Sequence, residues 1–256
     1  MNSRAQPEKV FSALLSASSR LGSAFLVLVD PEKTSPDQAR SLAAHAQEGG
    51  VDAFLVGGSQ GVCGSLDELV TAVRESSGLP VILFPGSACQ ISEKAHALLF
   101  LSMLSSRNPQ YLIGEHVKAA PVLRRMSIEI IPTAYLLVES GTLTSVQYVT
   151  QSLPIPRDKV DLAVAHALAG KYMGMKLVYL EAGSGAGTPV PAEMVQAVSL
   201  TTDLPVAVGG GIRSPEQAGR FARSGASFVV VGNALETTGE PSFVKELAAA
   251  VHFRKT

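Results

Sequence analysis

Glu181 ends the apolar run Lys176-Leu177-Val178-Tyr179-Leu180 and is followed by a glycine-rich stretch, Ala182-Gly183-Ser184-Gly185-Ala186-Gly187. A carboxylate at the end of a buried strand can accept a hydrogen bond or a proton from a substrate hydroxyl. Glycines beside it let the backbone turn sharply and bring its N–H groups close to an anion. Two more turns of this kind come later, Gly209-Gly210-Gly211-Ile212-Arg213 and Gly232-Asn233. The triple glycine precedes Ser214-Pro215-Glu216, a helix start, and side chains there would block a phosphate from the backbone N–H groups. A flexible Gly/Ser turn would explain one such loop. Three that agree point to a phosphate.

A second set of polar residues stands nearer the start of the chain. Asp30-Pro31-Glu32-Lys33 follows one apolar run, and Gly57-Gly58-Ser59 follows the next. One carboxylate and one hydroxyl are the sparse protein ligands that suit Mg²⁺, with waters and substrate phosphates completing its shell. Lys33 can hold a phosphate as a point charge. The alternative for Asp30 and Ser59 is that each merely caps a turn. The five histidines (His45, His96, His116, His166, His252) fall mostly in predicted helices. They read as structural or exposed, which disfavours histidine acid–base chemistry.

These residues need strands to hold them at one face. Apolar β-favouring runs are predicted at 24–29, 52–56, 80–84, 97–101, 128–137, 176–180, 205–208 and 228–231. Helices are predicted at 7–18, 35–48, 65–76, 109–125, 158–173, 191–201, 214–223 and 241–251. The stretch from Ser87 to Lys94 is too short for a crossover helix, so the third helix is reduced to one turn or replaced by a loop. Residues 139–156 read as a long polar excursion with two prolines. Eight strands alternating with helices specify an α/β fold, a single (β/α)8 TIM-type barrel spanning 1–256. An open doubly wound sheet is the fallback; it is weaker because no Gly-x-Gly-x-x-Gly follows the first strand. In a barrel the active site lies at the C-terminal strand ends, where the polar residues above cluster.

Composition narrows the function classes. The 256 residues are 46% apolar, with 21 basic and 22 acidic side chains and a net charge of -1. A mean hydropathy of +0.24 suits strands buried on both faces. No basic block is present, so nucleic acid is a poor partner. Cys63 and Cys89 match no ligand spacing and read as reduced packing residues of a cytoplasmic protein. Residues 1–20 mix charged and polar groups and resemble neither a signal peptide nor a membrane span.

Asp30-Pro31-Glu32-Lys33, Gly57-Gly58-Ser59, Tyr179 to Gly185, Gly209-Gly210-Gly211-Ile212 and Gly232-Asn233 together resemble the geranylgeranylglyceryl phosphate synthase family, which includes heptaprenylglyceryl phosphate synthases. The similarity spans nearly the whole chain, and Tyr-Leu-Glu-Ala-Gly-Ser-Gly is its specific part. The resemblance implies a barrel whose third helix is replaced. It implies transfer of a polyprenyl group, with a lean toward twenty carbons, from its diphosphate to the 3-hydroxyl of sn-glycerol 1-phosphate. It assigns Mg²⁺ to Asp30 and Ser59. It assigns glycerol phosphate to Tyr179, Leu180, Glu181, Ala182, Gly183, Ser184, Gly185, Gly210, Gly211, Gly232 and Asn233. Lys33 is expected on the diphosphate and Glu181 on the acceptor hydroxyl. An apolar groove for the tail is expected from Phe84 to Leu104 and Tyr135 to Leu137. A homo-oligomer, dimer or hexamer, and peripheral membrane contact for product release also belong to this expectation. Rival readings are another phosphate-binding barrel isomerase or synthase, and a non-catalytic phosphometabolite-binding scaffold.

Overall fold

The computed structural model describes residues 9–59, 66–232, 234–235 and 241–254. Eight parallel strands form a closed barrel in chain order: β1 (Ala24–Val29), β2 (Ala53–Val56), β3 (Val81–Leu83), β4 (Ala97–Met103), β5 (Glu129–Leu137), β6 (Leu177–Glu181), β7 (Val206–Gly209) and β8 (Phe228–Val231). β1 pairs with β8 through Ala24↔Phe228 to Val27↔Val231, which closes the ring and rules out the open sheet.

Side-chain alternation sorts each strand into two layers. Leu26, Leu55, Ile82, Leu99, Ile131, Tyr135, Leu177, Tyr179 and Phe228 fill the barrel interior. Their neighbours Val27, Phe54, Leu83, Leu98, Leu136, Val178 and Leu180 pack outward against the helices. Strands buried on both faces therefore read as unbroken apolar runs, which is why they are visible in the sequence.

The helices are α1 (Val10–Leu21), α2 (Pro36–Ala46), α3 (Leu66–Ser77), α4 (Glu115–Leu123), α5 (Ser145–Thr150), α6 (Val160–Tyr172), α7 (Ala192–Thr202), α8 (Pro215–Arg223) and α9 (Pro241–Val251). A π-helical turn, Gln110–Gly114, leads into α4. Caps set several starts. Ser35 forms a full capping box with Gln38 ahead of Pro36, and Ser214 accepts from the Gln217 N–H ahead of Pro215. α1 plugs the N-terminal mouth: Leu14 joins the interior layer and Phe11 meets Phe228 edge-on at 6.2 Å. Access is left to the opposite mouth, at the strands' C-terminal ends.

Two features depart from a regular barrel. Between β3 and β4, residues 84–96 contain turns and bends and no helix, as the short spacing predicts. That segment is pinned by Gly86 N–H donating to Gln90 Oε1 and by Ala88 N–H donating to the Glu115 carboxylate of α4. Second, the polar excursion at 139–156 contains a helix, α5, that the prolines obscure. Thr144 caps it by accepting from Gln147 N–H, and Gln151 ends it in the left-handed region at φ 52°.

Cys89 is disulfide-bonded. This corrects the expectation of a reduced packing thiol; residue 63, the other cysteine, lies outside the described residues. Among the described residues no helix is long and apolar enough to cross a membrane.

Candidate active site

A cavity of about 540 Å³ opens at the C-terminal mouth. Asp30, Gly58, Ser59, Tyr179, Glu181, Ser184, Gly185, Gly210 and Gly211 all line it, so one space gathers both sets of polar residues.

Glu181 is the last residue of β6, held in register with Leu137 of β5 and Gly209 of β7. It is 5% exposed. Its Oε1 accepts from Gly183 N–H at 2.6 Å. Burial pushes its carboxyl up to about 7, against the N–H groups of Gly183 and Ala182 and the Tyr179 hydroxyl, which favour the charged form. A carboxyl poised there can take a proton near neutral pH. Tyr179 Oη is buried beside this carboxylate without a well-formed hydrogen bond. Burial and the Glu181 charge hold the phenols of Tyr179 and Tyr135 well above the ordinary value, so both stay neutral.

The triple glycine has a reason beyond phosphate access. A Cβ at Gly209 would sit 2.5 Å from Tyr179 Oη, and one at Gly210 would overlap Glu181 Oε1. Gly210 also has φ +84°, which side chains rarely adopt. The glycines of β7 therefore make room for the β6 functional groups as well as for an anion. Gly183 and Gly185, at φ 100° and 74°, shape the facing loop. Leu180 and Ala182 differ from their neighbours: their side chains belong to the outer, helix-facing layer and do not line the cavity. Gly232 packs near Leu28 and is described, whereas Asn233 lies outside the described residues.

At the other rim, Asp30 Oδ1 accepts from Glu32 N–H at 3.0 Å, and Asp30 Oδ2 pairs with Lys33 Nζ at 3.2 Å. Lys33 Nζ also donates to Ser184 Oγ at 3.1 Å. This lysine bridges the loops after β1 and β6, the two halves of the mouth. A Cβ on Gly58 would lie 2.7 Å from Asp30 Oδ1 and 3.5 Å from Glu32 Oε1, so glycine keeps that pocket open. Glu32 Oε1 is buried there without a hydrogen-bond partner. An unpartnered carboxylate oxygen beside Asp30 and Ser59 is a hard-oxygen set suited to Mg²⁺. No group of three or more His, Cys, Asp or Glu side chains converges among the described residues, so any such ion would rely on few protein ligands.

The rest of the lining is apolar and extends beyond the barrel interior. Leu99, Leu101 and Met103 face inward from β4, while Leu98 and Phe100 face outward, and all five touch the cavity. The cavity thus spreads over β4 onto the face that a regular third helix would cover. Ile91 of the substituting loop and Tyr111, His116 and Ala119 from the π-turn and α4 wall it. His116 is buried against Phe100, with ring centroids at 4.3 Å, and burial holds its pKa below the ordinary value. Of the expected lining, the stretch from Phe84 to Met103 contributes side chains and so does Tyr135, whereas Leu104, Leu136 and Leu137 do not line the cavity. The α4 wall, with Val146 and Thr150 of α5, was not expected from the sequence. Its only signal is the apolar face of the 109–125 segment, which reads equally well as helix core.

The PcrB family matches residues 18–251 of the chain. The chain belongs to that family. It is similar to the geranylgeranylglyceryl phosphate synthase of Thermococcus kodakarensis, 50% identical over 86% of this chain and 87% of the relative. It is 42% identical to that of Chitinophaga pinensis over 95% and 96% of the two chains. Among solved structures it is similar to (S)-3-O-geranylgeranylglyceryl phosphate synthase from Thermoplasma acidophilum in complex with its substrate sn-glycerol-1-phosphate. That match has a TM-score of 0.91 and 37% identity, covering 96% of this chain and 100% of the other.

Proposed function

We propose that this PcrB-family protein is a prenyltransferase. It joins a polyprenyl diphosphate to the 3-hydroxyl of sn-glycerol 1-phosphate and releases diphosphate. One observation carries the reading: a single cavity joins a carboxylate rim, a glycine-lined loop pair around a buried glutamate, and an apolar groove running over β4. Relatives of this similarity bear the geranylgeranylglyceryl phosphate synthase name, and the Thermoplasma enzyme binds sn-glycerol-1-phosphate.

In this reading the acceptor phosphate sits on the backbone N–H groups around Gly183, Ser184 and Gly185 and around Gly210 and Gly211, with Gly232 and Asn233 completing the site. Tyr179 and Glu181 then meet the glycerol hydroxyls. Fixing the phosphate end selects which hydroxyl faces the prenyl carbon. Glu181 orients the 3-hydroxyl and takes its proton as the new C–O bond forms. Lys33 holds the diphosphate. Asp30 and Ser59 would hold Mg²⁺, whose chemistry is to neutralise charge on the departing diphosphate. The tail lies in the apolar groove, where each buried CH₂ contributes about 0.8 kcal/mol.

Geranylgeranyl diphosphate is the proposed donor, and a homo-oligomer in the cytoplasm the proposed form. Exposed apolar side chains such as Leu153, Tyr172 and Met173 favour self-association, which light scattering reads directly. Incubation with Mg²⁺, sn-glycerol 1-phosphate and prenyl diphosphates of increasing length tests the function. A prenyl ether formed best with the twenty-carbon donor is the expected product; no ether with any donor refutes the assignment.

A further inference from the structure

Where a third helix would pack, residues 84–96 form turns and bends, so their backbone groups need partners from elsewhere. At the base of this loop, Arg74 of α3 donates to the Lys94 carbonyl at 3.0 Å. Nearer β3, Ala88 N–H donates to Glu115 Oε2. Glu115 is the first residue of α4, and it lines the cavity together with Ala88 and Ile91. One carboxylate thus joins the two elements that wall the apolar groove.

The π-turn aims that carboxylate. Gln110 and Glu115 are five residues apart, and a regular α-helix would turn them to different sides. The turn Gln110–Gly114, closed by Glu115 N–H donating to the Gln110 carbonyl, brings the later residue back over the earlier one. Gln110 Nε2 then donates to Glu115 Oε1, which also accepts from Lys118 Nζ at 3.0 Å. Burial pushes the Glu115 carboxyl up, but the Ala88, Lys118 and Gln110 donors outweigh it and hold the pKa below the ordinary value. The group is ionised, and its bond to Ala88 is charge-assisted. The Glu115 side chain is 20% exposed and that of Lys118 60%, so the lysine is solvated while the carboxylate depends on its protein donors.

The clamped loop lies on the donor's side of the cavity. Gly86 sits against the Gly58 carbonyl at the Asp30 rim, where a Cβ would overlap it. Ala88, two residues on, is fixed to α4, and Ile91 lines the groove with Tyr111, His116 and Ala119. In the prenyltransferase reading, residues 86–91 therefore follow the donor from its diphosphate to its tail. β7, whose glycines would seat the acceptor phosphate, is four strands from β3 in the eight-stranded ring, on its opposite side.

We propose that Glu115 is a positioning residue for the prenyl donor: its bond to Ala88 N–H sets the loop's distance from α4, and so the width of the groove that takes the tail. The inference rests on the prenyltransferase reading above. Glu115 acts on the binding of one substrate and takes no part in the bonds that break and form.

The test compares Glu115→Ala, Glu115→Gln and Lys118→Ala in steady-state assays with Mg²⁺, sn-glycerol 1-phosphate and geranylgeranyl diphosphate. Glu115→Ala should raise the KM for the prenyl diphosphate about tenfold, leaving kcat and the KM for glycerol phosphate within about twofold. Glutamine keeps an oxygen for Ala88 N–H, so Glu115→Gln should restore the donor KM to within about threefold. Lys118→Ala leaves the clamp in place, and all three constants should stay within about twofold. Amide hydrogen exchange in the 84–96 segment should quicken about tenfold in Glu115→Ala and stay unaltered in Lys118→Ala. If Glu115→Ala does not fold, Glu115→Asp decides, since it keeps the charge but draws it back from Ala88; its donor KM should rise about fivefold. An unaltered donor KM in the variant that folds, or both KM values rising together, overturns the inference alone. No ether product from the unaltered protein overturns the prenyltransferase reading and the inference with it.

Discussion

The two ends of the cavity are built on opposite principles. At the Glu181 end the functional group is buried, hydrogen-bonded to its own loop and boxed in by glycines that leave it no alternative position. At the Asp30 end the carboxylate is buried but its cation is not: Lys33 has 43% of its side chain in solvent and divides its contacts between Asp30 and Ser184. The first end is pre-organised, which suits aiming a neutral hydroxyl. The second can adjust, which suits seating a polyanion with its cation and then letting it go.

Breaking the buried end should have the largest effect. Glu181→Gln should lower turnover by about 10³-fold, since general base catalysis contributes 10²–10⁴-fold. Calorimetric binding of glycerol phosphate should persist; turnover equal to the unaltered protein would remove Glu181 from the chemistry.

The same substitution carries a stability signature. A carboxyl raised from 4.5 to about 7 on folding binds its proton more tightly in the native state. Stability is therefore lost as pH climbs from about 4.5 to about 7, and the loss persists above that. Glu181→Gln removes this cost and should stabilise the protein at pH 8 by up to about 3 kcal/mol relative to its effect at pH 4. Denaturant melts at both pH values check this, and a pH-independent difference would show that Glu181 ionises normally.

At the adjustable end, Asp30→Ala should lower activity about 10²-fold and raise the Mg²⁺ concentration needed. A variant with unaltered metal dependence would contradict the role given to Asp30. Gly210→Ala probes the boundary between the two ends. Its Cβ would overlap Glu181 Oε1, so the KM for glycerol phosphate should rise about tenfold while that for the prenyl diphosphate stays put. An equal rise in both would mean that the ends are not independent. Lys33→Ala should have the smallest effect on activity, about threefold, because solvent screens the charge that this exposed lysine offers the diphosphate.

How much of this was legible in the sequence follows from which forces act locally. Strands buried on both faces announce themselves as apolar runs, and β1 and β8 begin and end where those runs do. Glu181, Asp30 and the glycine turns stand out because polar and glycine residues interrupt such runs. The α4 wall does not stand out, since an apolar helix face looks the same whether it meets core or a ligand groove. His116 was set aside as a helical residue, yet it lines that groove. The outward direction of Leu180 and Ala182 depends on the register of β6, which motif matching ignores. The Cys89 disulfide was missed because sequence spacing says nothing of which residues face one another in space.

The most direct test of the central claim is an oxygen label. With ¹⁸O at the 3-hydroxyl of sn-glycerol 1-phosphate, acceptor attack on the prenyl carbon predicts that all of the label appears in the ether and none in diphosphate. Label in the diphosphate, or an ether lacking it, would contradict transfer to a hydroxyl aimed by Glu181.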